Sequence, residues 1–233
     1  MKLKKIAAVI LTVAAISSSA AYAADFTDIK GHWAEQTINA LAEKGVVNGV
    51  TQTAFRPEGT VTRAEFLKMA MEVSSIKPVD FRMGECLDAV AKDWFGGYLQ
   101  SALDKGLIPS NMISNYSVDV VSKVDESGNF VSKAIYNGAF VGNLPITREE
   151  MASVAQITYQ YSLNANTMNN MNAAIELEFA DKDLISAWAV PNVKLACAQG
   201  FIEGMDNGMF APKSTATRAQ AATIISRILE KNR

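Results

Sequence analysis

The chain has 233 residues, 22 Lys and Arg against 24 Asp and Glu, a net charge of −2 and a single histidine. No basic face is legible, so a nucleic-acid partner is not expected, and a mildly acidic protein does not gather polyanions by bulk attraction. One histidine, His32, leaves little material for a Ser-His-Asp triad or a His-rich metal site, and none of the many carboxylates is singled out as a glycosidase acid or base. A binding protein rather than an enzyme is expected, with no cofactor and no metal.

Residues 1–23 read as a secretory signal peptide. Lys2, Lys4 and Lys5 start it, Ile6 to Ile16 is apolar, and Ala21-Tyr22-Ala23 forms a small-x-small cleavage site. The apolar run is short for a membrane span, so an exported chain that does not cross the membrane is expected. Losing those three lysines takes the charge from −2 to −5.

The first repeat, residues 24–75, opens with Phe26-Thr27-Asp28 and His32-Trp33-Ala34. Trp33, Ala34, Ile38 and Leu41 follow helical spacing, which predicts a helix from Trp33 to Lys44 with Gly45 as its left-handed stop. A short loop with Gly49, Phe55 and Pro57 leads to Thr62-Arg63-Ala64-Glu65. Thr62 with Glu65 three residues on is a capping box, and Phe66, Met69, Ala70 and Val73 give the second helix one buried face.

The second repeat, residues 76–161, follows a linker around Pro78. It carries Cys86-Leu87-Asp88, Trp94, Gly106, Phe140 and Thr147-Arg148-Glu149-Glu150, with Met151, Val154, Ala155 and Thr158 behind the box. Between Gly106 and Phe140 it holds 24 residues more than its siblings do. Within the insertion, 111–139, Val118, Val120 and Val124 alternate with polar residues, Phe130 to Tyr136 favours strand, and Asp125 to Asn129 is a turn cluster. A β-hairpin is predicted. It reads either as an inert elaboration or as a contact surface for a partner, such as another envelope protein.

After a linker at 162–178, the third repeat, 179–233, carries Phe179-Ala180-Asp181, Trp188, Gly200, Gly204, Phe210, Pro212 and Thr217-Arg218-Ala219-Gln220. Pro191 falls in the first turn of its first helix, and Ala221, Ile224, Ile225 and Ile228 face inward from its second. Asp206-Asn207-Gly208 reads as a turn rather than a calcium loop. Tryptophan to first glycine is twelve residues in all three copies, and the second phenylalanine to threonine is seven in all three. Fixed spacing through three copies defines a repeat protein.

Cys86 and Cys197 stand at apolar positions and read as buried thiols, although export would permit a disulfide. Arg63, Arg148 and Arg218 occupy first helical turns, where the macrodipole disfavours a cation. Each either pairs with a carboxylate of its own fold or faces an anionic ligand.

These motifs closely resemble the S-layer homology family: Phe-x-Asp, a Trp-Ala helix start, Gly-Val-Val-x-Gly, Phe-x-Pro and Thr-Arg-Ala-Glu. The resemblance implies a mainly α, pseudo-threefold single domain with a central helical bundle and three prongs. It implies an exported protein held at the cell wall or surface layer by a secondary cell-wall polysaccharide, often through a pyruvylated amino sugar, bound in grooves between repeats. The carry-over assigns ligand contact to Asp28, Trp33 and Arg63, to Asp88, Trp94 and Arg148, and to Asp181, Trp188 and Arg218. A guanidinium fork suits a carboxylate, and an indole face suits a sugar ring. The degenerate middle copy makes Arg148 the weakest expected contact. The alternative is an adaptor whose repeats or hairpin dock another surface protein.

Overall fold

A computed structural model describes residues 25–81, 93–125, 127–163 and 175–232. The expected signal segment, Cys86 and Asp88 lie outside them. The fold is mainly α, with six helices and one hairpin among the described residues: α1 (Glu35–Glu43), α2 (Arg63–Val73), α3 (Gly96–Asp104), β1 (Ser114–Val124), β2 (Phe130–Ala139), α4 (Arg148–Ser162), α5 (Val190–Ala198) and α6 (Arg218–Lys231).

Three capped helices make the centre. Thr62, Thr147 and Thr217 each accept a bond from the backbone N–H three residues on, and the side chains of Glu65, Glu150 and Gln220 return to the cap backbone. Two otherwise orphaned donors are thereby satisfied at each helix start. Behind the boxes α2, α4 and α6 pack against one another. Phe66, Ala70, Met151, Val154, Ala155, Ile224, Ile225 and Ile228 are all buried. Removing an apolar side chain of this size from water stabilises by about 1.5–3 kcal/mol for the larger ones, which is what fixes the bundle.

The first helix of each repeat packs not on its own second helix but on a neighbour's. The contacts run α3 on α2, α5 on α4 and α1 on α6. Backbone bonds close the same circle. Val61 N–H donates to Ala216 O (3.1 Å), Ala216 N–H to Ile146 O (2.9 Å), and Ile146 N–H to Val61 O (2.9 Å). The first helical N–H groups continue it: Arg63 and Ala64 donate to Leu144 and Gly142, Arg148 and Glu149 to Ser214 and Pro212, Arg218 and Ala219 to Gly59 and Pro57. These are donors that a helix cannot satisfy internally. Each repeat therefore finishes its neighbour, and the pseudo-threefold expected of the resemblance is present in the backbone.

The predicted start of α1 needs a correction. The helix begins at Glu35, with Ala34 at the cap, and Trp33 stands in the preceding turn with 64% of its surface exposed. Ala34, Ile38 and Leu41 carry the buried stripe without it. Gly45 adopts φ +68° past the helix end as expected, and Gly106 and Gly200 do likewise.

The hairpin forms where it is predicted. Val118 pairs with Tyr136, Val120 with Ala134 and Val124 with Phe130, antiparallel, and the Asp125 carboxylate accepts from Ser127 and Asn129 N–H to hold the turn. A register shift lies at its base, between Ser114 and Ser117. All of β1 is exposed.

Candidate functional site

The loop before each capped helix carries an unusual backbone. Arg56, Val141 and Ala211 occupy equivalent positions and all have positive φ, at 57°, 48° and 56°. For residues with a Cβ this is disfavoured. Asp28 offsets it in the first repeat: Phe55 N–H donates to Oδ1 at 2.9 Å and Arg56 N–H to Oδ2 at 2.7 Å. Asp181 does the same for Phe210 and Ala211, at 2.7 and 2.8 Å. Burial would raise the Asp28 carboxyl, but the Phe55 and Arg56 N–H bonds outweigh it and leave the group below its usual 3.8. Phe26 lies over Gly49 so closely that a Cβ there would meet its ring at 2.3 Å, and Phe179 covers Gly204 the same way at 2.7 Å.

The three motif arginines reach across repeat boundaries. Arg218 Nε donates to Phe55 O and Nη2 to Asn48 O, both at 2.8 Å, while the guanidinium lies 4.6 Å from the Phe55 ring centre. Arg148 repeats this on the third repeat: Nε to Phe210 O (2.7 Å), Nη2 to Glu203 O (2.8 Å), and the Phe210 ring at 5.3 Å. Arg63 donates through Nη1 to Phe140 O (3.0 Å) and Met112 O (3.3 Å) in the second repeat.

Their counter-charges differ. Arg63 holds Glu150 with both arms of its fork, Nε to Oε2 at 3.3 Å and Nη2 to Oε1. Arg218 meets Glu65 Oε1 at 3.4 Å. The corresponding box residue for Arg148 is Gln220, which is neutral. Arg148 is only 4% exposed, yet it forms no ion pair with a described residue, and its Nη1 has no hydrogen-bond partner among them. Burial lowers its pKa, with Cys197 and Asp181 acting the other way. A guanidinium ionises too strongly for that shift to remove its charge at neutral pH. So one buried cation has no ion-paired carboxylate among the described residues, Asp181 acting on it only from a distance.

Two cavities lie over these arginines. The first, about 300 Å³, is lined by Val46 to Val50, Phe55, Glu65, Lys68 and Met69 of the first repeat, Arg218 of the third and Trp94 of the second. The second, about 460 Å³, is lined by Phe201 to Asp206, Gln220, Thr223 and Arg227 of the third repeat, Arg148 of the second and Trp33 of the first. The two are related by the pseudo-threefold. In each, one repeat supplies the loop and capped helix, the preceding one the arginine, and the following one the tryptophan.

The motif residues thus meet across copies rather than within one. Trp33 joins Arg148, and Trp94, 53% exposed, joins Arg218. Trp188 is partly buried against the core, and Asp28 and Asp181 hold the loops without lining either cavity. Cys197 forms no disulfide with a described residue; it is half-buried and pushed up to about 11 by burial, with Arg148 opposing and Glu203 adding to the rise. Two participants escaped the sequence reading. Gln220 was read only as a box residue, though its missing charge is visible beside Glu65 and Glu150. Arg227, which pairs with Glu203 at 3.2 Å, belongs to no motif. Among the described residues no group of His, Cys, Asp or Glu could hold a metal, and no helix is long and apolar enough to cross a membrane.

The sequence model of the S-layer homology domain matches residues 25–67 and 178–222, the first and third of the three helical units. The chain is 35% identical over 210 residues, 89% of its length, to exoglucanase XynX of Acetivibrio thermocellus, and 34% identical over 211 residues to an amylopullulanase of Thermoanaerobacterium thermosulfurigenes. It is 25% identical over 219 residues to the surface-layer 125 kDa protein of Lysinibacillus sphaericus. The matches cover 16%, 10% and 15% of those proteins. Enzymes and surface-layer proteins thus share a segment similar to this chain.

Proposed function

We propose that this chain is a cell-surface anchoring module that binds an anionic cell-wall polysaccharide in the grooves between its repeats. The middle unit, 76–161, is read as a third, diverged S-layer homology repeat. The observation that carries the reading is the pair of threefold-related cavities, each lined by a motif arginine and an exposed tryptophan. The arginine can meet a carboxylate such as that of a pyruvylated amino sugar, and the indole offers a flat apolar face for the ring. Shared presence at about a tenth to a sixth of the length of larger enzymes and surface-layer proteins supports a tether over a catalyst.

The two grooves are proposed to contribute unequally. Arg218 is already paired with Glu65, whereas Arg148 has a free donor and no carboxylate partner among the described residues. Arg63 is engaged by Glu150 and two carbonyls and serves mainly to bolt repeats together. In this reading Asp28 and Asp181 shape the groove through its loop, and Trp188 contributes from a partly buried position.

The test is cosedimentation of the protein with cell-wall sacculi before and after the covalently linked polymer is stripped. Binding only to polymer-bearing sacculi is expected. Equal binding to both would transfer the target to peptidoglycan and defeat the proposal.

A further inference from the structure

Among the described residues the hairpin is a large feature that lines neither cavity. Ser114–Val124 and Phe130–Ala139 pair only with each other among the described strands, and a lone two-stranded ribbon is at best marginally stable in water. Alternation along the strands divides it into unlike faces. Val118, Val120 and Val124, with Phe130 and Tyr136 opposite, form an apolar face; Phe130 is 85% exposed. Asp119, Val121 and Lys123 point to the other side.

The outer edge of β1 has few of the usual guards, Asp119 and Lys123 being its charged residues between Ser117 and Val124. From Ser117 to Val124 it holds no proline and no bulge, and every residue is exposed. Such an edge is a template for another strand.

We infer that the outer edge of β1 pairs antiparallel with the same edge of a second copy, in a register centred on Val121. That register sets Val121 opposite Val121 of the partner copy, Asp119 opposite Lys123, and Val118 opposite Val124. Because the twofold repeats each pairing, two opposite-charge pairs form at once. Lys123 makes no ion pair among the described residues, and Asp119 accepts only from the Asn137 amide, at 2.9 Å. The charges that the hairpin leaves unmatched are therefore matched by its own copy. All residues keep their faces in this register, so a four-stranded sheet results whose mainly apolar side, interrupted by the Ser122–Ser132 pair, is double the ribbon's width. A shift by one residue would set Asp119 and Lys123 against residues of the opposite face and lose both pairs. The grooves lie on other elements, so this contact stands whether or not the polymer reading does.

The experiment is sedimentation velocity of residues 24–233 over a wide concentration range, with three variants. The unaltered protein is expected to show a reversible monomer–dimer equilibrium. Asp119→Lys places lysine against lysine, and Lys123→Asp places aspartate against aspartate; each should weaken dimerisation by about tenfold or more. The double variant, Asp119→Lys with Lys123→Asp, restores opposite charges in the exchanged sense and should recover the dimer. Recovery also shows that the single variants did not merely unfold the hairpin. A protein monomeric throughout, a dimer indifferent to both single reversals, or a double variant that stays monomeric would each overturn the inference.

Discussion

Arg63 and Arg148 share one motif position, and one neighbouring amide separates their surroundings. Glu150 neutralises Arg63, while Gln220 offers Arg148 no carboxylate at the equivalent place. Gln220→Glu should therefore supply the missing charge. It is expected to raise the melting temperature, since a buried guanidinium gains a partner, and to weaken polymer binding because the same donors are then occupied. A variant that binds more tightly would show that Arg148 does not receive the anion. Asp28 belongs to the same scale. Its folded pKa lies below the usual 3.8, so the charged form is the stabilising one. That contribution is complete at neutral pH, starts to fall as pH drops past about 3.8 and is lost through the lower folded value. Asp28→Ala should lower stability at pH 7 and narrow its gap from the parent protein in acid, as chemical denaturation at several pH values will read. A gap unchanged by acid would deny the carboxylate its role at Phe55 and Arg56.

At the scale of elements, Arg63, a ligand contact by motif, is held inside the fold by Glu150 and two carbonyls. Arg63 ties α2 to the box residue of α4 and to two carbonyls of the second repeat, with 16% of its side chain exposed and 8% of Glu150. Removing one partner of so buried a pair strands the other, so Arg63→Ala should destabilise by about 3–5 kcal/mol. Equilibrium urea unfolding measures this, and a loss below about 1 kcal/mol would return Arg63 to the list of free cations. The helices, boxes, glycine stops and hairpin were legible in the sequence because each rests on local chemistry: spacing, a cap three residues from its acceptor, a turn cluster between alternating runs. What was not legible is which tryptophan meets which arginine. Trp33 looked like part of its own helix face, and only packing of first helices onto neighbouring repeats carries it over to Arg148. No local signal encodes that exchange. The weak expectation for Arg148 rests on the worn surroundings in its own copy, yet its side chain lies against the next copy, which keeps the Phe-x-Pro loop.

At the scale of the whole molecule, the hairpin is an addition to a closed core. The sibling repeats make the same junction without it, and β1 buries none of its residues. Deleting 115–136 should leave thermal unfolding and wall binding near those of the parent. An insoluble deletion variant, or one that no longer sediments with polymer-bearing sacculi, would show that the ribbon completes a groove.

The ring of backbone bonds through Val61, Ile146 and Ala216 bears on how such a tether carries load. In an open array each unit touches only its neighbours in sequence, so a terminal unit can detach while the rest stays folded. Here the third repeat is clasped by the first, across more than 150 residues of chain, as firmly as by the second. No unit is terminal in space. Tension applied at either end meets a closed hoop, and the capped helices at its centre are shielded until the hoop parts. The three units should then give way together, so that the anchor has a single yield point instead of fraying by thirds.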